Sequence, residues 1–177
     1  MPESQQFFAS CPKGIEDLLA TELLSLGIQN PVASSAGASF EGGLEAAYKV
    51  CLWSRLASRV LMPINTFSVK TDDDLYIQVQ TVKWSDHLDL EGTLAVGCHL
   101  SHSDLTNSHY AALKVKDAIV DQFMELFEQR PSVDRDNPDL RINLYIHRNQ
   151  ATLSIDLAGE SLHKLGYRKC SVTAPRK

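Results

Sequence analysis

QFFASCPKGIEDLLATELLSLG, residues 6–27, reads as a strand running into a helix. QFFAS (residues 6–10) is a short apolar run closed by Cys11-Pro12, the pattern of a buried strand. Ile15, Leu18, Leu19, Leu23 and Leu26 then recur at helical spacing, and Gly27 supplies a C-terminal stop. Two short strands are expected next, over residues 31–36 and 37–41, punctuated by Gly37 and Gly42-Gly43. Leu44, Tyr48, Cys51 and Leu52 predict a second helix with those four on one face. Leu56 to Phe67 reads as a strand, and Pro63 within it requires an edge or a bulge, because proline has no N–H to give to a ladder. Strand, helix, strand, strand, helix, strand is the order of a ferredoxin-like unit, two helices covering one face of an antiparallel sheet.

The pattern breaks near Lys70. Asp72, Asp73 and Asp74 precede Leu75, Val79 and Val82, spaced as on one helical face. Acids there suit a helix N-terminus, where carboxylates complement the dipole and the free N–H groups. Magnesium binding is the alternative for this triplet, but no partner acid stands at ligand spacing. Residues 93–101 alternate, with Leu94, Val96, Cys98 and Leu100 on one face. A long helix is predicted over 108–127, with Ala111, Val115, Ala118, Ile119, Gln122 and Leu126 along one side. Pro131 and Pro138 bracket a polar loop, PSVDRDNP. Strands are expected over 139–147 and 150–157, joined at Arg148-Asn149. Leu140, Ile142, Leu144 and Ile146 face one way; Arg141, Asn143, Tyr145 and His147 face the other. A last strand-like piece, residues 161–168, leads into a basic tail. The fold class is therefore α+β: a ferredoxin-like subdomain over residues 1–69, an α/β domain with a mixed or antiparallel sheet over 70–160, and a returning strand and linker over 161–177.

A chain of 177 residues with 44% hydrophobic side chains fits one large domain or two small ones. No run of about 18 apolar residues exists, so no membrane span is expected. The opening MPESQQFFASCPKG lacks the basic start and apolar stretch of a secretory signal. Cys11, Cys51, Cys98 and Cys170 are scattered, which argues against a disulfide framework or zinc knuckle and favours a cytoplasmic protein. The net charge of −5 does not by itself suggest a nucleic-acid partner. Its distribution is more informative: residues 139–177 hold seven basic and three acidic side chains on an otherwise acidic chain, a segment able to touch phosphate, with a merely solvated charged face as the plainer alternative.

The residues announce no catalytic site: there is no G-x-S-x-G elbow, phosphate-binding glycine loop or H-E-x-x-H. His99, His102 and His109 lie near Cys98, but on a strand Cys98 and His99 point to opposite faces and cannot share a metal; exposed loop histidines are the expectation. NSHYAALKVKDAIVD, residues 107–121, is the best functional candidate. Asn107 or Ser108 can cap the helix, leaving N–H groups free for an anion. Lys114 and Lys116 fall roughly 100° to either side of Val115, able to lay their stems along the buried face with ammonium groups in water. Solvation of the helix, with Asp117 paired to Lys114 at i, i+3, is the plainer alternative.

NSHYAALKVKDAIVD, with RPSVDRDNPDLRINLYIHRNQATLSIDLAGESLHKLGYR after it and FFASCPKGIEDLLATEL and LWSRLASRVLMPI before it, closely resembles the THUMP-containing bacterial 23S ribosomal-RNA guanine-N2 methyltransferases. The resemblance runs in order along nearly the whole chain and includes the closing Gly166-Tyr167-Arg168 and Ala174-Pro175. It departs at His109, where an amide is expected. It implies a ferredoxin-like region followed by a THUMP domain, a module that binds structured RNA, ahead of S-adenosylmethionine-dependent methyltransferase domains. Neither the methyl-donor glycine turn nor the Asn-Pro-Pro-aromatic base pocket of such domains occurs here. The expected partners are ribosomal RNA and a downstream catalytic domain in cis, with no membrane, no catalytic residue, no metal and no cofactor in this segment. The RNA-binding residues expected are Asn107 and Ser108 at the helix cap, with Lys114, Lys116, Arg141, Arg168 and Lys169 forming a single basic surface. Two other readings remain, the RNA-binding module of a thiouridylase or pseudouridine synthase, and a protein-interaction module using the acidic surface.

Overall fold

The structure, a computed structural model describing residues 4–159 and 161–162, opens with β1 (Gln5–Ser10), α1 (Glu16–Ser25), β2 (Val32–Ser34), β3 (Gly37–Gly42), α2 (Leu44–Trp53) and β4 (Arg59–Ser68). This is the expected ferredoxin-like order. The chain divides into two units between Val60 and Leu61, within β4 itself.

In the first unit β3 pairs antiparallel with β1 on one side and β2 on the other. Phe7 and Phe40 meet in register with ring centroids 5.4 Å apart, and Leu19 and Leu23 of α1 are fully buried. Each such side chain contributes about 1.5–3 kcal/mol by leaving water. Gly37 is required by a close approach, since a Cβ there would lie 2.3 Å from the Ala9 carbonyl oxygen. Gly27 follows α1 at φ +80°, the left-handed stop the sequence predicts. Glu22 ties α1 to the segment after α2, accepting from Ser54 Oγ (2.5 Å) and the backbone N–H of Arg55 (2.9 Å) and Leu56 (3.3 Å). The Leu162 N–H donates to the Ser58 carbonyl (2.9 Å).

One expectation is corrected here. α2 buries Ala47 and Val50, whereas Leu44, Tyr48 and Leu52 are exposed. The inward face is rotated by roughly 100° from the one drawn through the largest apolar residues. Small side chains set this face, because they let a helix lie close against its neighbours.

The second unit continues with α3 (Asp72–Gln80), β5 (Thr93–Ser101), α4 (Ser108–Phe127), β6 (Ser132–Val133), β7 (Leu140–His147) and β8 (Gln150–Asp156). Its strands lie in the order β4-β8-β7-β5-β6. β5 runs parallel to β7 and β6, while β8 is antiparallel to β7 and β4, so the sheet is mixed. Pro63 is accommodated by a bulge between Pro63 and Asn65. Arg148 and Asn149 both take positive φ (48° and 61°), the two-residue turn whose twist suits a hairpin.

One sheet face packs on α3 and α4, with Leu140, Ile142, Leu144 and Ile146 buried against Leu75, Val79, Ala111, Val115, Ile119 and Phe123. The acidic triplet does start a helix: Thr71 Oγ1 accepts from the Asp74 N–H (3.1 Å) and Asp74 Oδ2 accepts from the Thr71 N–H (3.0 Å), a reciprocal capping box. Hydrogen bonding to its carboxyl, by the Thr71 side chain first and then by the backbone N–H groups of Lys70 and Thr71, holds Asp74 below the usual carboxylate range. α4 has the predicted bounds, but its inner stripe ends differently, since Phe123 is buried and Leu126 is 58% exposed. The PSVDRDNP segment is not wholly loop, because Ser132 and Val133 pair with Thr93 and Leu94. The predicted strand over 161–168 lies outside the described residues, apart from Ser161 and Leu162.

Candidate nucleic-acid interface

Among the described residues β6 pairs with β5 only at Thr93 and Leu94, and no other strand neighbours β5 on that side. A cleft of about 290 Å³ opens there, with α4 as one wall and the 133–135 segment as another. Gly97 forms part of its floor, and its polar rim is His109, Lys116, Arg135 and Arg141. Two other hollows lack this balance: one in the first unit carries Glu41 and no basic residue, and one beside His87 carries Asp89, Glu91 and Asp139.

Arg141 is the best-defined group of the cleft. Its Nη2 donates to the carbonyls of Arg135 and Asp136, both at 3.3 Å, so the guanidinium braces the segment that carries Arg135. Asp134 tightens the same segment by accepting from the N–H groups of Asp136 (2.9 Å) and Asn137 (3.1 Å). Arg141 Nε, however, is buried with no hydrogen-bond partner among the described residues. A buried donor on a cation is costly to leave unpaired, and an anionic oxygen is the acceptor that suits it best. Lys116 reaches the cleft with its ammonium 2.7 Å from Asp117 Oδ1, an ion pair that leaves the chain hydrated.

Lys114 does not line the cleft with them. Residues 114 and 116 are about 200° apart around a helix, and the Lys114 ammonium points to α3. There it lies 3.8 Å from Asp73 Oδ1 and about 6 Å from the centres of the Tyr76 and Tyr110 rings (5.9 and 6.0 Å). Its partner is thus Asp73 rather than Asp117. Nearby, Tyr76 donates its hydroxyl to Asp121 Oδ2 (2.7 Å), and that bond, with some burial and the surrounding carboxylates, pushes its pKa up to about 12. Asn107 caps α4, its Oδ1 accepting from the Tyr110 N–H (3.0 Å), and Ser108 is the exposed first helical residue. Arg168 and Lys169 lie outside the described residues.

Sequence reasoning missed Arg135 and His109 as cleft walls. Arg135 sat in a segment read as loop, and only its return beside β5 places it. His99, His102 and His109 are exposed, but His99 stands on β5 and His109 on α4, so of these three His102 alone is a loop residue. Cys98 is half-buried on the other side of β5 from His99, and burial raises its thiol to about 11. No helix among the described residues is long and apolar enough to cross a membrane.

The fold is of a two-part class, a ferredoxin-like domain followed by a THUMP domain. The RlmL ferredoxin-like domain family matches residues 6–61 and the THUMP domain family residues 69–156, and the chain belongs to these families. The ribosomal RNA large subunit methyltransferase K/L of Syntrophotalea carbinolica is 56% identical over 172 residues, 97% of this chain and 24% of that protein. The chain thus spans about a quarter of the length of the curated relatives it matches. A predicted N6-adenine-specific DNA methylase from Listeria monocytogenes superposes with TM-score 0.82 at 29% identity, over 99% of this chain and 46% of that one. A putative methyltransferase complexed with SAH superposes with TM-score 0.82 at 28% identity, over 96% and 45%.

The methyl donor of such enzymes does not fit the residues described. β5 is the strand that leads into a helix beside a parallel neighbour, but the connection His102–Asn107 holds no glycine to let backbone approach a nucleotide-like ligand.

Proposed function

We propose that this chain is the RNA-holding part of a ribosomal-RNA methyltransferase, positioning structured ribosomal RNA for S-adenosylmethionine-dependent methylation of guanine N2 by a catalytic domain that follows it in the longer cytoplasmic protein. By itself it catalyses nothing. The observation that carries the reading is the cleft at the edge of β5, where Lys116, Arg135 and Arg141 converge. Phosphodiester oxygens supply acceptors and compensating charge for these cations. Contacts of this kind fix position and register while carrying little sequence information, which is what a docking module needs when the catalytic domain reads the base. The relatives' name supports ribosomal RNA as the partner.

The test uses a protein extended to the length of the relatives, assayed for methyl transfer to large-subunit ribosomal RNA. Replacing Lys116 and Arg141 by Gln removes binding shared by ground and transition states. It therefore raises KM for RNA by about tenfold or more and leaves kcat nearly unchanged. An unchanged KM would count against the proposal.

A further inference from the structure

The sheet face of the second unit that turns away from α3 and α4 carries two rows of side chains set across four strands by the strand registers. Thr66, Thr152, Tyr145 and His99 form one row; Ser68, Gln150, His147 and Ser101 form the next. Tyr145 is 42% exposed, His99, Thr66, Ser68 and Gln150 are exposed, and the rest are half-buried. The rings are ordered among themselves. His99 lies parallel to Tyr145 (centroids 6.1 Å, 12°), Tyr145 is parallel to His147 (6.3 Å, 0°), and His102 sets its edge against His147 (5.8 Å, 82°). Ser101 Oγ holds this end together, 3.3 Å from His147 Nδ1 and 3.1 Å from His102 Nδ1. Beside His99, Gly97 leaves the floor bare: a Cβ there would meet only the Ile142 carbonyl, at 3.9 Å.

We propose that this open face is a stacking platform for unpaired nucleotides of the bound RNA. The inference rests on the RNA-binding reading above and adds which part of the RNA lies where. Neither row contains a carboxylate or an aliphatic side chain, which disfavours a protein partner seeking an apolar interface core. Rings, hydroxyls and an amide match the π faces and polar edges of bases, and an open sheet face with aromatic side chains on neighbouring strands is a recurrent way to hold splayed bases. Cations flank the rows along the same hairpin. Arg141 precedes Tyr145 on the same side of β7 by four residues, about 13 Å of strand, and the exposed Arg148 follows His147. A strand of RNA can thus anchor its phosphates in the cleft and lay the adjoining bases on the rings.

The experiment measures fluorescence anisotropy of the 177-residue chain at low salt. The probes are a labelled single-stranded RNA dodecamer of mixed sequence and a blunt duplex of that sequence. Tyr145→Ala is expected to weaken single-strand binding by roughly 5- to 150-fold, the loss of one stacked base. It should leave duplex binding within about twofold, as for a surface change remote from the contact. Tyr145→Phe keeps the ring and should keep the affinity, whereas the exposed His99→Ala should act in the direction of Tyr145→Ala without disturbing the core. Unchanged single-strand affinity in both alanine variants, or an equal loss on duplex and single strand, overturns the platform. If Lys116→Gln with Arg141→Gln then still weakens RNA binding, the cleft reading stands alone; if the wild-type chain binds neither RNA, both readings fall.

Discussion

Replacing Gln122 by Ala should destabilise the second unit by about 2–4 kcal/mol, although glutamine is the one polar residue in an apolar stripe. Gln122 Nε2 donates to the carbonyls of Gln80 (3.1 Å) and Val82 (3.0 Å), and its Oε1 accepts from the Trp84 N–H (2.9 Å). One side chain thus satisfies three backbone groups in the turn that follows α3 and seats the buried Trp84. Each such hydrogen bond contributes about 0.5–1.5 kcal/mol net, and an orphaned buried group costs about 1–3 kcal/mol. Partial burial lets water replace some of the loss, which sets the range given. Gln122→Met has similar length but no hydrogen bonds and should lose nearly as much, separating bonding from volume. Leu126→Ala, at a position 58% exposed, should stay within about 0.5 kcal/mol of wild type. Urea unfolding followed by Trp84 fluorescence, in a Trp53→Phe background, reports on the second unit. A loss below about 1 kcal/mol for Gln122→Ala, or a larger one for Leu126→Ala, would refute the assignment.

The raised Tyr76 pKa of about 12 means that the fold favours the protonated phenol. Its stabilising contribution is complete below the unfolded value near 10 and is lost as pH rises through 12. Spectroscopic titration against a Tyr76→Phe control should show it, and Asp121→Asn should bring the transition down; an unmoved transition would show that Asp121 is not the cause. For Asp74, whose carboxyl is held below its usual range, the sign is opposite: stabilisation is present above the ordinary carboxylate value and lost as pH falls through the lower folded one. Thr71→Ala should therefore flatten the acid limb of the stability profile, measured by thermal unfolding at successive pH values. Isothermal titration of this chain with S-adenosylmethionine should show no micromolar binding, and a measurable affinity would place donor-binding residues in this chain.

The element order was legible because its signals are local. The 3.6-residue spacing of Leu19 and Leu23, the alternation of Leu140 to Ile146, Gly27 and the acids ahead of Leu75 each act within a few residues. The inward face of α2 was not legible. Ala47 and Val50 are small, and a reading weighted by apolar bulk chose Leu44, Tyr48 and Leu52, which remain in solvent. The site was half legible for a similar reason. Lys116 and Arg141 sit on regular elements whose faces can be counted, and both reach the cleft. The fate of Lys114 depends on Asp73 and Tyr76 across the α3–α4 packing, and that of Arg135 on a strand pairing of two residues. Neither long-range contact leaves a periodic trace in the chain.

The most direct test of the account is the salt dependence of binding between this chain and a structured ribosomal-RNA hairpin. Log affinity against log salt should fall by roughly 0.7–0.9 for each phosphate neutralised. Changing Lys116, Arg135 and Arg141 together to Gln should flatten that slope by about two to three units, while Lys114→Gln, whose cation is committed to Asp73 and two rings, should leave it nearly unchanged. A triple variant that binds as tightly as wild type with the same slope would show that RNA does not sit in this cleft.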